Sequence, residues 1–175
     1  MKIDIQRDVA SALASRRPVV ALESTVIAHG LPRPMNLETA RAMEAEVRGN
    51  GATPATIALV DGAAVVGAGA PLLARLANDG DVAKVSLRDL APVLARRGLG
   101  ATTVAATVEI AGRAGISVLA TGGIGGVHRG AERSWDESAD LEAIARNAVC
   151  VVCAGAKLVL DLALTLERLD AKVRE

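Results

Sequence analysis

Short uninterrupted apolar runs alternate along this chain with segments whose apolar residues recur at helical spacing, and that alternation restricts the chain to a layered α/β fold. The run PVVAL at 18–22 has no polar interruption, as a strand covered on both faces requires. ATIALV at 55–60 is a second such run, and Asp61-Gly62 turns it into a hairpin with residues 63–67. Residues 81–86, 116–120 and 148–153 supply further strands. Between the first two strands, Asn36 can cap a helix on which Leu37, Ala40, Met43 and Val47 share a face, with Gly49 and Gly51 ending it. Shorter helices fit residues 71–78, 87–97 and 102–113, and residues 141–147 continue a helix capped by Ser138. No repeat or low-complexity segment interrupts the pattern, so residues 1–175 read as one domain with a largely parallel sheet.

The chain has 175 residues, 51% of them hydrophobic, but holds one Trp and no Phe or Tyr, so its core must be assembled from Ala, Val, Leu and Ile. Without stacking rings, and with twenty Lys plus Arg balancing twenty Asp plus Glu, it carries neither the surface nor the field for polymeric nucleic acid or a membrane. The expected partner is a small molecule. The start, MKIDIQRDVA, lacks a basic-then-apolar signal, and no apolar run approaches the roughly 18 residues of a spanning helix, so the expected location is cytoplasmic. Cys150 and Cys153 form a C-x-x-C, but residues three apart on a strand face opposite ways and no further cysteines complete a metal cage. They are expected to be plain buried strand cysteines.

Chemistry concentrates in TGGIGGVHRGAERSWDESAD at 121–140. Gly122, Gly123, Gly125 and Gly126 follow a strand and could present amides to an anion or a sugar. His128, Glu132, Asp136 and Asp140 recur every fourth residue, although Gly130 makes the first part of that stretch a loop rather than one helical face. Two nucleotide motifs are excluded. A dinucleotide fingerprint beginning at Gly123 would need glycine where His128 stands, and a Walker A loop from Gly125 to Gly130 would need lysine where Ala131 stands.

Two charges lie in apolar surroundings. Glu23 ends the first long strand, where ligands of α/β sheets bind and where partial burial raises a carboxyl toward general-acid use; capping the next segment is its bland alternative. Lys157 stands between AVCVVCAGA and LVLDLAL as the only charge from Arg146 to Asp161. It is either a snorkelling side chain or a desolvated amine able to act as a nucleophile, and the residues alone leave both open.

The segments ALESTVIAHGLPRPMN, ATPATIALVDG, AKVSLRDL, GATTVAATV, TGGIGGVHRGAERSWDESADL and VVCAGAKLVLD, in this order, closely resemble the pseudouridine-5′-phosphate glycosidases, also described as indigoidine synthase A-like. The resemblance runs from about Pro18 to Leu169. It implies a three-layer α/β/α sandwich with a mainly parallel sheet, assembled as a homotrimer. The implied reaction is reversible cleavage of pseudouridine 5′-phosphate to uracil and ribose 5-phosphate, aided by manganese, with magnesium or another divalent ion possible. Position by position, it implies Glu23 as the acid, Lys157 as the nucleophile and Asp136 as the metal ligand. Lys84, Val104, Ser138, Ala139 and Asp140 match substrate contacts. Lys84 would bring positive charge to the phosphate, Val104 would contact through its backbone, and His128 has no assigned role.

A C-glycoside needs such groups, because its carbon leaving group is not readily stabilised by protonation. An amine that attacks the anomeric carbon while an acid protonates the ring oxygen opens a different route, through a lysine-linked imine. The resemblance also implies that the family continues well past Leu169, with further sheet and helix packing and an asparagine-bearing segment at the substrate site. The terminal helix LALTLERLDAKVRE ends polar. The expectation is thus a partial domain lacking the family's C-terminal part, read as an active glycosidase or, alternatively, as a silent remnant that only binds sugar phosphate or self-associates.

Overall fold

In a computed structural model, which describes residues 1–173, the elements run β1 (Ile3–Ile5), α1 (Arg7–Ala14), β2 (Val19–Leu22), α2 (Met35–Gly49), β3 (Thr53–Val60), β4 (Ala63–Val66), α3 (Ala70–Asn78) and β5 (Ala83–Val85). They continue as α4 (Leu90–Ala95), β6 (Gly100–Thr102), α5 (Val104–Arg113), β7 (Val118–Ala120), α6 (Ala131–Ser134), α7 (Ala139–Arg146), β8 (Cys150–Val152) and α8 (Leu162–Val173). A wide π-type turn, Val26–Gly30, follows β2. The polar end of the terminal helix, Arg174 and Glu175, lies outside the described residues. Among those described, no helix is long and apolar enough to cross a membrane.

The sheet runs β1-β4-β3-β2-β7-β8, with β6 also paired to β3 and β5 to β6. Among the pairings of the described strands, only the β3–β4 hairpin and the β3–β6 pair are antiparallel. Asp61 and Gly62 close the hairpin at φ 52° and 84°, the left-handed geometry that Asp-Gly adopts at low cost. Helices cover both faces, the three-layer sandwich expected from the sequence. Along β3 the alternation is visible in the packing: Ala55, Ile57 and Leu59 enter a core shared with α1 and α5, while Ala58 joins the opposite one beneath α2 and α3.

Several elements differ from the sequence expectation. β1 and α1 had no counterpart in it, although Val9 and Ala12 are fully buried at helical spacing. β6 (Gly100–Thr102) was not expected and takes Thr102 out of the helix expected over 102–113; Gly100 packs so close to Val85 there that a Cβ would meet its Cγ2 at 2.6 Å. Asn36 does not cap α2 but sits buried inside its first turn, donating to the Ile27 carbonyl at 2.9 Å and the Ala77 carbonyl at 3.0 Å. It thereby ties the π-type turn and the end of α3 together. The cysteines are not buried strand residues: Cys150 is exposed and Cys153, beyond the strand, is partly so. β8 carries β7 on one side and, among the described residues, no strand on the other.

Candidate active site

The register of the parallel strands assembles the site. Leu22 pairs with Ala120, so the next residues, Glu23 and Thr121, meet at the carboxyl ends of β2 and β7. The Thr121 hydroxyl donates to Glu23 Oε1 in a short hydrogen bond. Glu23 is fixed from behind by Ser24, whose buried hydroxyl donates to the Ile57 carbonyl at 2.6 Å and accepts from the Thr102 amide at 2.8 Å. Burial pushes the Glu23 carboxyl above its ordinary value; the Thr121 bond and the Lys157 ammonium work against that rise, the Asp140 carboxylate adds to it, and Lys84 opposes it more weakly.

A cavity of about 370 Å³ opens over these strand ends, and its wall brings together Glu23, Lys84, Val104, Ser138, Asp140 and Lys157. Six of the eight positions named from the sequence thus share one hollow. Ala139 is exposed and Asp136 lies outside the wall. Thr25, Ser86, Thr103 and His128 complete the polar lining. Thr103 holds the N-cap position of α5, yet its hydroxyl, though buried, has no hydrogen-bond partner among the described residues. Buried hydroxyls are nearly always satisfied, so one orphaned at a cavity wall at the start of a ten-residue helix is available to a polar ligand.

Asp140 is committed to the protein. Its Oδ1 accepts from the Ala105 amide at 2.8 Å and its Oδ2 from the Gly125 amide at 2.7 Å, so one buried carboxylate clamps the start of α5 to the glycine-rich loop. Ser138 caps α7 as expected, accepting from the Asp140 amide at 3.2 Å. The loop itself is built for close packing more than for cradling an anion. The Ile124, Gly125 and Val127 amides go to Gly155, Asp140 and Thr165, and a Cβ on Gly125 would meet the Ser138 hydroxyl at 2.2 Å. Thr121 and Thr103 could have been found from sequence only by noticing that each directly follows a strand end.

Lys157 differs from Glu23, with which it shares the cavity wall. The Lys157 amide donates to the Ile124 carbonyl at 3.2 Å and its stem passes Gly123, so its backbone is anchored, but its side chain is exposed. Of the two sequence readings, desolvation by the surrounding apolar run is not realised in this chain. The neighbouring Leu158 and Val159 are 86% and 67% exposed, although Val159 also edges the cavity.

Asp136 and His128 sit together on the loop flanking α6. The His128 amide donates to the Asp136 carbonyl at 3.0 Å, and Nδ1 lies 3.9 Å from Asp136 Oδ2. α6 spans only Ala131–Ser134 between left-handed Gly130 and Trp135, so His128, Glu132, Asp136 and Asp140 do not share a helical face. Among the described residues, no three His, Cys, Asp or Glu side chains converge as a metal cage. One exposed carboxylate beside an imidazole fits a hard divalent ion that keeps most of its water.

The sequence profile of the indigoidine synthase A like protein family matches residues 8–173. The pseudouridine-5′-phosphate glycosidase 2 of Photorhabdus laumondii is 56% identical over 96% of this chain and 54% of its own length. The pseudouridine-5′-phosphate glycosidase of Deinococcus radiodurans is 56% identical over 97% of this chain and 54% of its own. Among solved structures, the prealnumycin C-glycosynthase AlnA, crystallised with ribulose 5-phosphate, superposes with a TM-score of 0.90 at 46% identity over 98% of this chain and 56% of that one. An indigoidine synthase A-like protein from Thermotoga maritima gives 0.86 at 34% identity, with the same two coverages. The chain spans about half the length of the curated relatives it matches.

Proposed function

The chain belongs to the indigoidine synthase A like family, and on that premise we propose that its cavity cleaves the C–C glycosidic bond of pseudouridine 5′-phosphate, giving uracil and ribose 5-phosphate. The observation that carries the reading is a carboxyl, raised by burial, that shares one cavity wall with the Lys157 and Lys84 amines and with the unpaired Thr103 hydroxyl. Relatives named for this substrate, and a C-glycosynthase neighbour holding a pentulose phosphate, support it.

The phosphate is assigned to the start of α5, with Thr103, Ser86 and Lys84 around it. Lys157 Nζ then bonds to C1′ as the C1′–O4′ bond breaks, and Glu23 delivers its proton to O4′. After the new ammonium sheds a proton, the nitrogen lone pair forms the C1′=N bond while the C1′–C5 bond to the base breaks and C5 takes a proton. Water hydrolyses the imine, returning Lys157 and releasing ribose 5-phosphate. Asp136, with His128 beside it, would hold manganese or magnesium, and the ion would supply positive charge and ordered water at the cavity mouth. A homotrimer is proposed with the activity.

Borohydride reduction with ribose 5-phosphate should mark Lys157 by peptide mass. A mark on Lys84 with Lys157 unmodified would defeat the assignment.

A further inference from the structure

Two strands meet head-on beneath the cavity. β4 takes one edge of β3, its line extended by the Gly67 and Ala68 amides, which both donate to the Thr56 carbonyl. β2 and β6 share the other edge: β2 runs parallel to β3 as far as Leu22 opposite Thr56, and β6 runs antiparallel as far as Ala101 opposite Ala58. Their carboxyl ends therefore converge on Ile57, where neither ladder continues. Hydroxyls tie the junction instead. Ser24 and Thr102 both donate to the Ile57 carbonyl, at 2.6 and 2.7 Å, while the Ser24 amide donates to the Thr102 carbonyl at 3.3 Å and the Thr102 amide to Ser24 Oγ at 2.8 Å. From α5, the Thr107 hydroxyl shares its proton between Thr102 Oγ1 at 2.9 Å and the Thr103 carbonyl at 2.7 Å. All three side chains are fully buried.

Satisfying the backbone accounts for one of these hydroxyls, because Ser24 alone serves both the Ile57 carbonyl and the Thr102 amide. Two hydroxyls are left over. Side chains alternate along an extended chain, so each buried residue at the junction is flanked by residues that reach the cavity. Glu23 and Thr25 flank Ser24, Thr103 follows Thr102, and on β5 Lys84 and Ser86 flank Val85, which pairs with Thr102. We infer that Thr102 and Thr107 are positioning residues for Glu23, locking the two strand ends and the start of α5 into one register so that the carboxyl keeps a fixed place relative to Lys84 and Thr103. The effect on turnover rests on Glu23 being the acid; the positioning does not.

The 175-residue chain tests this without turnover, by carboxyl-detected NMR of Glu23. Burial raises that carboxyl, and Thr121, Lys157, Asp140 and Lys84 also act on it. Thr102→Val keeps the volume and removes the hydroxyl, so water should gain access and the Glu23 titration should fall toward the ordinary carboxylate range. Thr102→Ser keeps the hydroxyl and loses a buried methyl, so it should lower the urea midpoint yet retain the parent's titration. Thr107→Val should move Glu23 the same way by less. It also decides the matter if Thr102→Val does not fold, because the Thr103 carbonyl keeps the Thr107 amide. In uracil release, Thr102→Val should lower kcat about tenfold with KM within about twofold of the parent. A parent that releases no uracil defeats the proposed reaction and leaves the titration to judge the positioning. The inference is overturned if either valine variant folds with an unmoved Glu23 titration, or if Thr102→Ser moves it as far as Thr102→Val does.

Discussion

The acid and the amine of this cavity stand in opposite kinds of surroundings. Glu23 comes from the middle of the sheet, between buried Leu22 and buried Ser24, with its carboxylate fixed by Thr121 from the next strand. Lys157 comes from an edge segment with an anchored backbone and a solvated side chain. Among the described residues, burial near the sheet centre is supplied by this chain's own helices, whereas the β8 edge stays open, so the acid is enclosed and the lysine side chain is not.

The largest effect should come from Asp140, because that side chain builds the wall on the buried side. Asp140→Ala strands the Ala105 and Gly125 amides, and charge-assisted hydrogen bonds of this kind make a loss of about 3 kcal/mol the expectation in urea denaturation. Asp140→Asn keeps an acceptor oxygen and should lose about half as much. A loss below about 1 kcal/mol for the alanine variant would mean that the buried wall holds itself together without the clamp.

Glu23→Gln is next and tests whether the acid's setting is as described. Because burial raises the Glu23 carboxyl in the folded state, its contribution to stability is complete below the ordinary carboxylate range and is lost as pH rises through the raised value. Glutamine does not titrate, so the variant should melt about 2–4 °C above the parent at pH 8 and coincide with it near pH 4. Uracil release should fall about a hundredfold, and the parent's loss of rate at high pH should disappear with it. A parent that melts higher than the variant at pH 8 would show that Lys157 and Lys84 outweigh burial.

How much of this was legible before folding follows from how local each signal is. The Asp61-Gly62 hairpin and the Ser138 cap are written in two to four residues, and both are present in the structure. Glu23 was legible because it ends an apolar run. Thr121 was not, since its partner is 98 positions away and only the β2–β7 register joins them. Asp140 was legible as a site residue but not as a clamp, because the amides it binds belong to two other elements. The three residues of β6 are too few to show alternation. The cysteines misled for a related reason: an apolar run looks the same whether its strand is central or stands at an edge.

A smaller effect on the fold is expected at the cavity mouth. Asp136 is exposed and, among the described residues, makes no ion pair apart from its approach to His128, so Asp136→Ala should change stability by less than about 0.5 kcal/mol. Manganese affinity, followed by the electron paramagnetic resonance of the free ion, should fall about tenfold. Unchanged affinity would move the metal elsewhere.

The smallest change in stability should come from the residue with the largest proposed chemical role. Lys157→Met keeps the stem that lies along Gly123 and removes a charge that is already in water, so unfolding in urea should shift by less than about 0.5 kcal/mol. The borohydride adduct should vanish altogether. The ammonium also acts on Glu23 by holding its carboxyl down, so its removal should raise the Glu23 titration further in carboxyl-detected NMR. These readouts separate the two regions. If Lys157→Met costs about 2 kcal/mol or more, the amine is packed as firmly as the acid, and the contrast between sheet centre and sheet edge fails. If stability holds, the adduct is lost and the Glu23 titration rises, the edge lysine is a chemical group on a scaffold that does not need it, which is the arrangement expected of a nucleophile whose role is chemical and not structural.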